Sequence, residues 1–78
     1  MKVTYEMDQA TLSAEDELEL REGSTVIEGF EAFVKPYLEK GAVYQEEQIF
    51  VVNGKVAEED QLLKDGDKVH VFAVFAGG

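Results

Sequence analysis

Cysteine and tryptophan are missing from this 78-residue chain, and proline and histidine occur once each, at Pro36 and His70. Without cysteine there is no disulfide framework, no zinc–thiolate site and no cysteine nucleophile. No run approaches the ~18 apolar residues of a membrane span. The opening of the chain is not a charged-then-apolar leader either, so neither an anchor nor a secretory signal is expected and a cytoplasmic location is. Basic residues are scarce: 7 Lys+Arg stand against 17 Asp+Glu, for a formal net charge of −10. Such a surface repels nucleic-acid phosphates and anionic lipid, which argues against nucleic acid and membrane as partners. It suits plain solubility, life at high salt, or steering onto a basic surface of a partner protein.

What is present is enough for one small domain, residues 1–78. A chain of this size buries only about 60% of its unfolded surface, so the core is thin. Still, 45% of the residues are apolar and five are phenylalanine, which rules out a disordered acidic tail. Lys2 to Met7 alternates, with Val3, Tyr5 and Met7 on one face, and predicts a half-buried strand. Asp8 to Asp16 is polar and reads as a turn, and a second strand is expected at Glu17–Arg21 with Leu18 and Leu20 inward. Thr25 with Glu28 three residues on fits a capping box. Val26, Phe30, Phe33, Val34 and Tyr37 then fall on one helical stripe, widened by Ile27 and Leu38. Pro36 predicts a kink or break near Val34–Lys35, and Gly41 ends the segment.

Gln48–Val52 is apolar on both faces and runs into Asn53-Gly54, a strong hairpin signal, with only Lys55-Val56-Ala57 as a short partner strand. Glu58–Lys64 is expected to hold Leu62 and Leu63 against the core, and Asp65-Gly66-Asp67 is a tight turn. The last strand, Lys68–Val74, puts Val69, Val71 and Ala73 on one face and His70, Phe72 and Val74 on the other. The order β-β-α-β-(short β)-β, with one helix across one mixed sheet, gives a two-layer α+β domain.

Catalytic equipment is hard to find. His70 sits mid-strand with no evident nucleophile, and Ser13 and Ser24 are better explained as turn or cap residues. Glu15-Asp16-Glu17 lacks the spaced oxygens of a calcium loop, so no metal site is expected. The unusual feature is the glycine pair Gly77-Gly78 after an apolar strand. Lacking Cβ atoms, such a tail fits a channel too narrow for other residues and keeps its amides free. The carboxylate of Gly78 would then be the reactive group, activated by adenylation. Attack by sulfide or a persulfide would lead to a thiocarboxylate, and attack by a lysine amine to an isopeptide.

The run from Val52 through Asn53-Gly54-Lys55 to Leu63-Lys64-Asp65-Gly66-Asp67-Lys68-Val69, then Phe72 and Ala76-Gly77-Gly78, resembles the MoaD/ThiS ubiquitin-like sulfur carriers. That family includes the small subunit of molybdopterin synthase and the thiamine-pathway carrier. The resemblance implies a β-grasp (ubiquitin-like) fold with a flexible reactive tail over 75–78. Gly78 would be adenylated and thiolated, with Gly77, Ala76 and Phe75 entering the partner's channel. Phe72 and Val74, with Phe50 or Val52, would form an apolar partner patch opposite the helix. No bound cofactor is implied: ATP and a sulfur donor act through an E1-like adenylating enzyme of the MoeB/ThiF type. A cysteine desulfurase or rhodanese would supply the sulfur, and a larger synthase subunit is a further partner. The chain would be a carrier, not an enzyme. The longer Pro36 helix and the stretch Tyr37–Gln48 lean toward the molybdopterin branch. Thiamine or transfer-RNA thiolation, a lysine-conjugated modifier and a plain interaction domain are the alternatives.

Overall fold

Alternation at the start of the chain builds a central strand. In the computed structural model, which describes residues 1–9, 12–42 and 47–73, β1 spans Lys2–Asp8 and buries Val3, Tyr5 and Met7 almost completely. Strand β2 covers Ser13–Glu19 and pairs antiparallel with β1, from Lys2 opposite Glu19 to Asp8 opposite Ser13. It therefore starts four residues before the expected Glu17, and Leu20 lies just beyond it. The physical reason is Asp16, an inward position paired with Tyr5, whose carboxylate accepts a hydrogen bond from the Tyr37 hydroxyl of the helix. A partner so distant in sequence lets a polar residue occupy a half-buried strand position.

Helix α1, Val26–Glu39, begins at the capping box: the Glu28 amide donates to Thr25 Oγ1 (3.3 Å) and the Thr25 amide donates to Glu28 Oε1 (2.9 Å). The Thr25 amide, and after it the Thr25 hydroxyl, which also donates to Glu28 Oε1 (3.0 Å), hold the Glu28 carboxyl below its ordinary range. Val26, Phe30, Phe33 and Val34 face the sheet. The helix passes Val34–Lys35 without the expected break. Pro36 and Ala32, whose carbonyl loses its donor to the proline, both lie on the exposed side, so the gap falls where solvent can fill it. Gly29 meets Tyr5 closely: a Cβ there would stand 2.8 Å from Tyr5 Cζ. The Tyr5 ring stacks on Phe33 (5.5 Å) and its hydroxyl donates to the Val26 carbonyl (2.6 Å).

Strands β3 (Gln48–Val52), β4 (Lys55–Ala57) and β5 (Lys68–Ala73) complete a five-stranded sheet of order β2-β1-β5-β3-β4. β5 lies in the middle, parallel to β1 and antiparallel to β3. The turn between β3 and β4 has Asn53 at φ 50° and Gly54 at φ 85°, the left-handed region that Asn and Gly tolerate best. Asn53 also acts at a distance: its Nδ2 donates to Asp67 (2.8 Å) and its Oδ1 accepts from the Lys68 amide (3.0 Å). The Asp65-Gly66-Asp67 turn is tied to β1 by the Lys2 amide donating to Asp65 (2.7 Å) and the Gly66 amide donating to the Lys2 carbonyl (2.7 Å). Asn53, Asp65 and Gly66 are thus fold residues, as the turn reading has it.

Before that turn, Leu63 is buried while Leu62 is exposed. The chain there runs extended beside Ser24–Thr25, so neighbouring side chains point oppositely and only Leu63 reaches the core. The two-layer α+β arrangement holds: the helix covers one sheet face, and among the described residues the other is open. No described helix is long and apolar enough to cross a membrane.

Candidate functional site

Five of the residues singled out from the sequence, Val74, Phe75, Ala76, Gly77 and Gly78, lie outside the described residues. Their root is described. Strand β5 is held on both sides, by β1 through Met7 opposite Val71 and by β3 through Gln48 opposite Ala73. Across this end of the sheet Gln9 Nε2 donates to Gln48 Oε1 (2.8 Å). The chain reaches Ala73 along the middle strand of the sheet.

On the open face, β5 presents His70 and Phe72. Phe72 is 46% exposed, and the His70 imidazole stacks on its ring with centroids 4.3 Å apart. Register extends this spot sideways. Ile49 of β3, 42% exposed, lies opposite Phe72; Val51 lies opposite His70; and Val56 of β4, 76% exposed, lies opposite Val51. The result is an apolar stripe across three strands.

Phe50 does not belong to this patch, and neither does Val52. They are 3% and 6% exposed, and the Phe50 ring meets Phe30 of the helix edge-on at 5.3 Å. β3 is apolar on both faces, so its own sequence leaves the phase open. Pairing with β5 decides it, by placing Phe50 opposite the buried Val71. Ile49, Val51 and Val56 are the patch residues that sequence reasoning passed over. The signal available was the alternation of β5, transferred across the sheet.

The remainder of the open face is acidic. Lys68 Nζ bridges Glu6 (3.4 Å) and Glu15 (3.6 Å), and His70 Nε2 approaches Glu6 at 3.6 Å. The bond to Glu6, reinforced by the charges of Glu6 and Glu15, holds the Lys68 ammonium above its ordinary pKa. Glu15, Glu17 and Glu19 project outward from β2. Ser24 donates locally to the Arg21 carbonyl and Ser13 to Asp8, so each hydroxyl is engaged away from His70. Among the described residues no three acidic or histidine side chains gather to hold a metal.

Comparison with known proteins adds to this geometry. The profile of the ThiS family matches residues 3–78. A protein of Pyrococcus furiosus assigned as molybdopterin converting factor subunit 1 is 31% identical and has a TM-score of 0.70, the match covering 92% of this chain and 95% of that one. SAMP1 of Haloferax volcanii has a TM-score of 0.75 at 20% identity over the whole of both chains. The complex of subunits 1 and 2 of the molybdopterin-converting factor of Helicobacter pylori gives 0.61 at 15% identity, again over both whole chains. These last two likenesses concern the fold, and with the β2-β1-β5-β3-β4 sheet under one helix they identify it as ubiquitin-like β-grasp. No curated protein matches the chain in sequence.

Proposed function

The chain belongs to the ThiS family of small ubiquitin-like sulfur carriers, and from that premise we propose that it carries sulfur as a thiocarboxylate on Gly78. The observation that supports this most is the join between family and fold. In sequence Gly77-Gly78 come shortly after β5, the strand braced by β1 and β3, beside an exposed face with an apolar stripe. The body serves as a handle and the tail as the working part. Ala76 and Gly77 form the thin lead-in that a partner's channel admits, and Phe75 precedes them.

The chemistry requires an activating partner, because a carboxylate is a poor electrophile. An E1-like adenylating enzyme of the MoeB/ThiF type joins a Gly78 carboxylate oxygen to the α-phosphorus of ATP, and pyrophosphate leaves. Sulfide then attacks the acyl carbon and displaces AMP, leaving the thiocarboxylate. A persulfide from a cysteine desulfurase or rhodanese gives an acyl disulfide instead, which a thiol must reduce. We place the acceptor in molybdopterin formation, on the 31% identity to the Pyrococcus furiosus protein. A larger synthase subunit would then receive the tail.

The test is mass spectrometry of the intact chain after incubation with the adenylating enzyme, ATP and sulfide, followed by addition of a molybdopterin-synthase large subunit and its pterin precursor. The expected result is replacement of one oxygen by sulfur, then its loss with sulfur appearing in the pterin. Retention of the thiocarboxylate with the pterin, but loss to a thiazole or transfer-RNA acceptor, would move the chain to another pathway. Lysine adducts through Gly78 without sulfur uptake would replace the carrier reading by that of a protein modifier.

A further inference from the structure

Strands β1 and β3 are not neighbours, yet a side-chain hydrogen bond joins their ends. Gln9, one residue beyond β1, donates from Nε2 to Oε1 of Gln48, the first residue of β3 (2.8 Å). Strand β5 runs between the two. Adjacent strands lie about 4.8 Å apart, so the flanking backbones stand roughly 10 Å from one another and the bond must cross β5. Register gives the level of the crossing. Gln48 is opposite Ala73, and Met7 is opposite Val71, which brings Gln9 level with Ala73 two residues on. Alternation gives the face: Gln9 has the parity of Tyr5 and Met7, and Gln48 that of Phe50, all buried on the helix side. The two amides form a strap over the last residue of β5, where Ala73 leaves room with only a methyl group.

A strap built for stability alone has no need to be polar. Gln9 Oε1 is buried and has no hydrogen-bond partner among the described residues, a state that folded chains mostly avoid. Two apolar side chains of similar shape would close the same gap without that burden. What they would lack is direction: a hydrogen bond fixes the spacing of β1 and β3, whereas apolar contact slides. We propose that Gln9 and Gln48 are positioning residues for the chemistry at Gly78, strapping down Ala73 so that the five residues after it start from a fixed point. The proposal rests on the carrier reading above and adds to it the residues that aim the tail. A root free to lift from the sheet enlarges the volume that the reacting carbon must search. That slows the chemical step and leaves docking of the body unchanged.

The test follows adenylation of the full chain by the activating enzyme, as pyrophosphate released at saturating ATP. Gln9→Leu with Gln48→Leu should unfold in urea at a midpoint no lower than that of the unaltered chain. It should nevertheless lower kcat about fivefold, with KM for the carrier changed less than about twofold. Either exchange alone should lower kcat by about as much as the pair, because each breaks the same bond. In nitrogen-15 relaxation of the double variant, the order parameter of Ala73 should fall below about 0.6 while that of Val69 stays near the rigid value of about 0.85. Gln61→Leu, the same exchange remote from the end of β5, should leave kcat unchanged. An undiminished kcat in the double variant, or a loss accompanied by a lowered urea midpoint, overturns the proposal while adenylation of the unaltered chain keeps the carrier reading intact. An unaltered chain that is not adenylated overturns both.

Discussion

Replacing Gly29 by alanine sets two effects of opposite sign against each other. Gly29 has ordinary helical geometry, so on propensity alone alanine should stabilise the helix by about 1 kcal/mol. The structure predicts the opposite outcome. The new methyl would lie 2.8 Å from Tyr5 Cζ and 2.9 Å from Cε1, with the hydroxyl nearer still. The ring has no room to retreat, being fully buried and stacked on Phe33. Overpacking of this kind costs about 1–3 kcal/mol, and displacing the hydroxyl from the Val26 carbonyl costs about 1–3 kcal/mol more. The expected net loss is roughly 2–4 kcal/mol, read from urea unfolding followed by circular dichroism. Tyr5→Phe alone should cost about 1 kcal/mol. Because it removes the nearest obstructing atom, the double variant should be at least ~0.5 kcal/mol more stable than the two single losses imply. A Gly29→Ala protein as stable as the unaltered chain, or strictly additive losses, would refute this account of the helix–sheet contact.

Asn53→Ala should cost about 2–3 kcal/mol, through lost bonds to Asp67 and Lys68 and the left-handed backbone. Asn53→Gly should cost about 1 kcal/mol less in the same unfolding assay, since glycine relieves only the backbone part. Phe50→Ala should lose about 3–5 kcal/mol, while Phe72→Ala stays within about 1 kcal/mol of the unaltered chain, separating the core ring from the docking ring. Burial, and then the negative charge of Asp67, push the Tyr5 hydroxyl well above the usual tyrosine range. The folded chain therefore holds that proton more tightly than the unfolded chain. Its contribution is complete below about pH 10 and is lost as pH rises above that. Tyr37 is raised too, chiefly by its hydrogen bond to Asp16, so Tyr5→Phe should weaken the alkaline fall in stability without abolishing it.

Much of this molecule is legible in the sequence where the signals are local. The Thr25–Glu28 box, the Asn53-Gly54 turn and the alternation of Lys2–Met7 each act within a few residues, and each lies where it is expected. The bounds of β3 and β4 follow from that same turn. What escapes depends on contacts between distant residues. The start of β2 is hidden because Asp16 turns inward to meet Tyr37, and no pattern within Ser13–Glu19 announces a partner on the helix. The phase of β3 is hidden because both its faces are apolar, so Phe50 and Ile49 exchange roles until β5 is placed beside them. Leu62 and Leu63 are equally apolar in sequence, and only the bridge to Thr25 selects Leu63 for the core. Of the candidate site, Phe72 was readable from the alternation of its own strand, whereas Ile49, Val51 and Val56 needed the sheet.

The central claim is that the acyl carbon of Gly78 is the atom that takes sulfur. It is tested most directly by incubating the native chain and a semisynthetic chain amidated at Gly78 with the adenylating enzyme, ATP and sulfide, then mapping any mass change by fragmentation. The account predicts one oxygen exchanged for sulfur at Gly78 in the native chain and no change in the amidated one. A native chain left unmodified, or a sulfur found at any other residue, would contradict it.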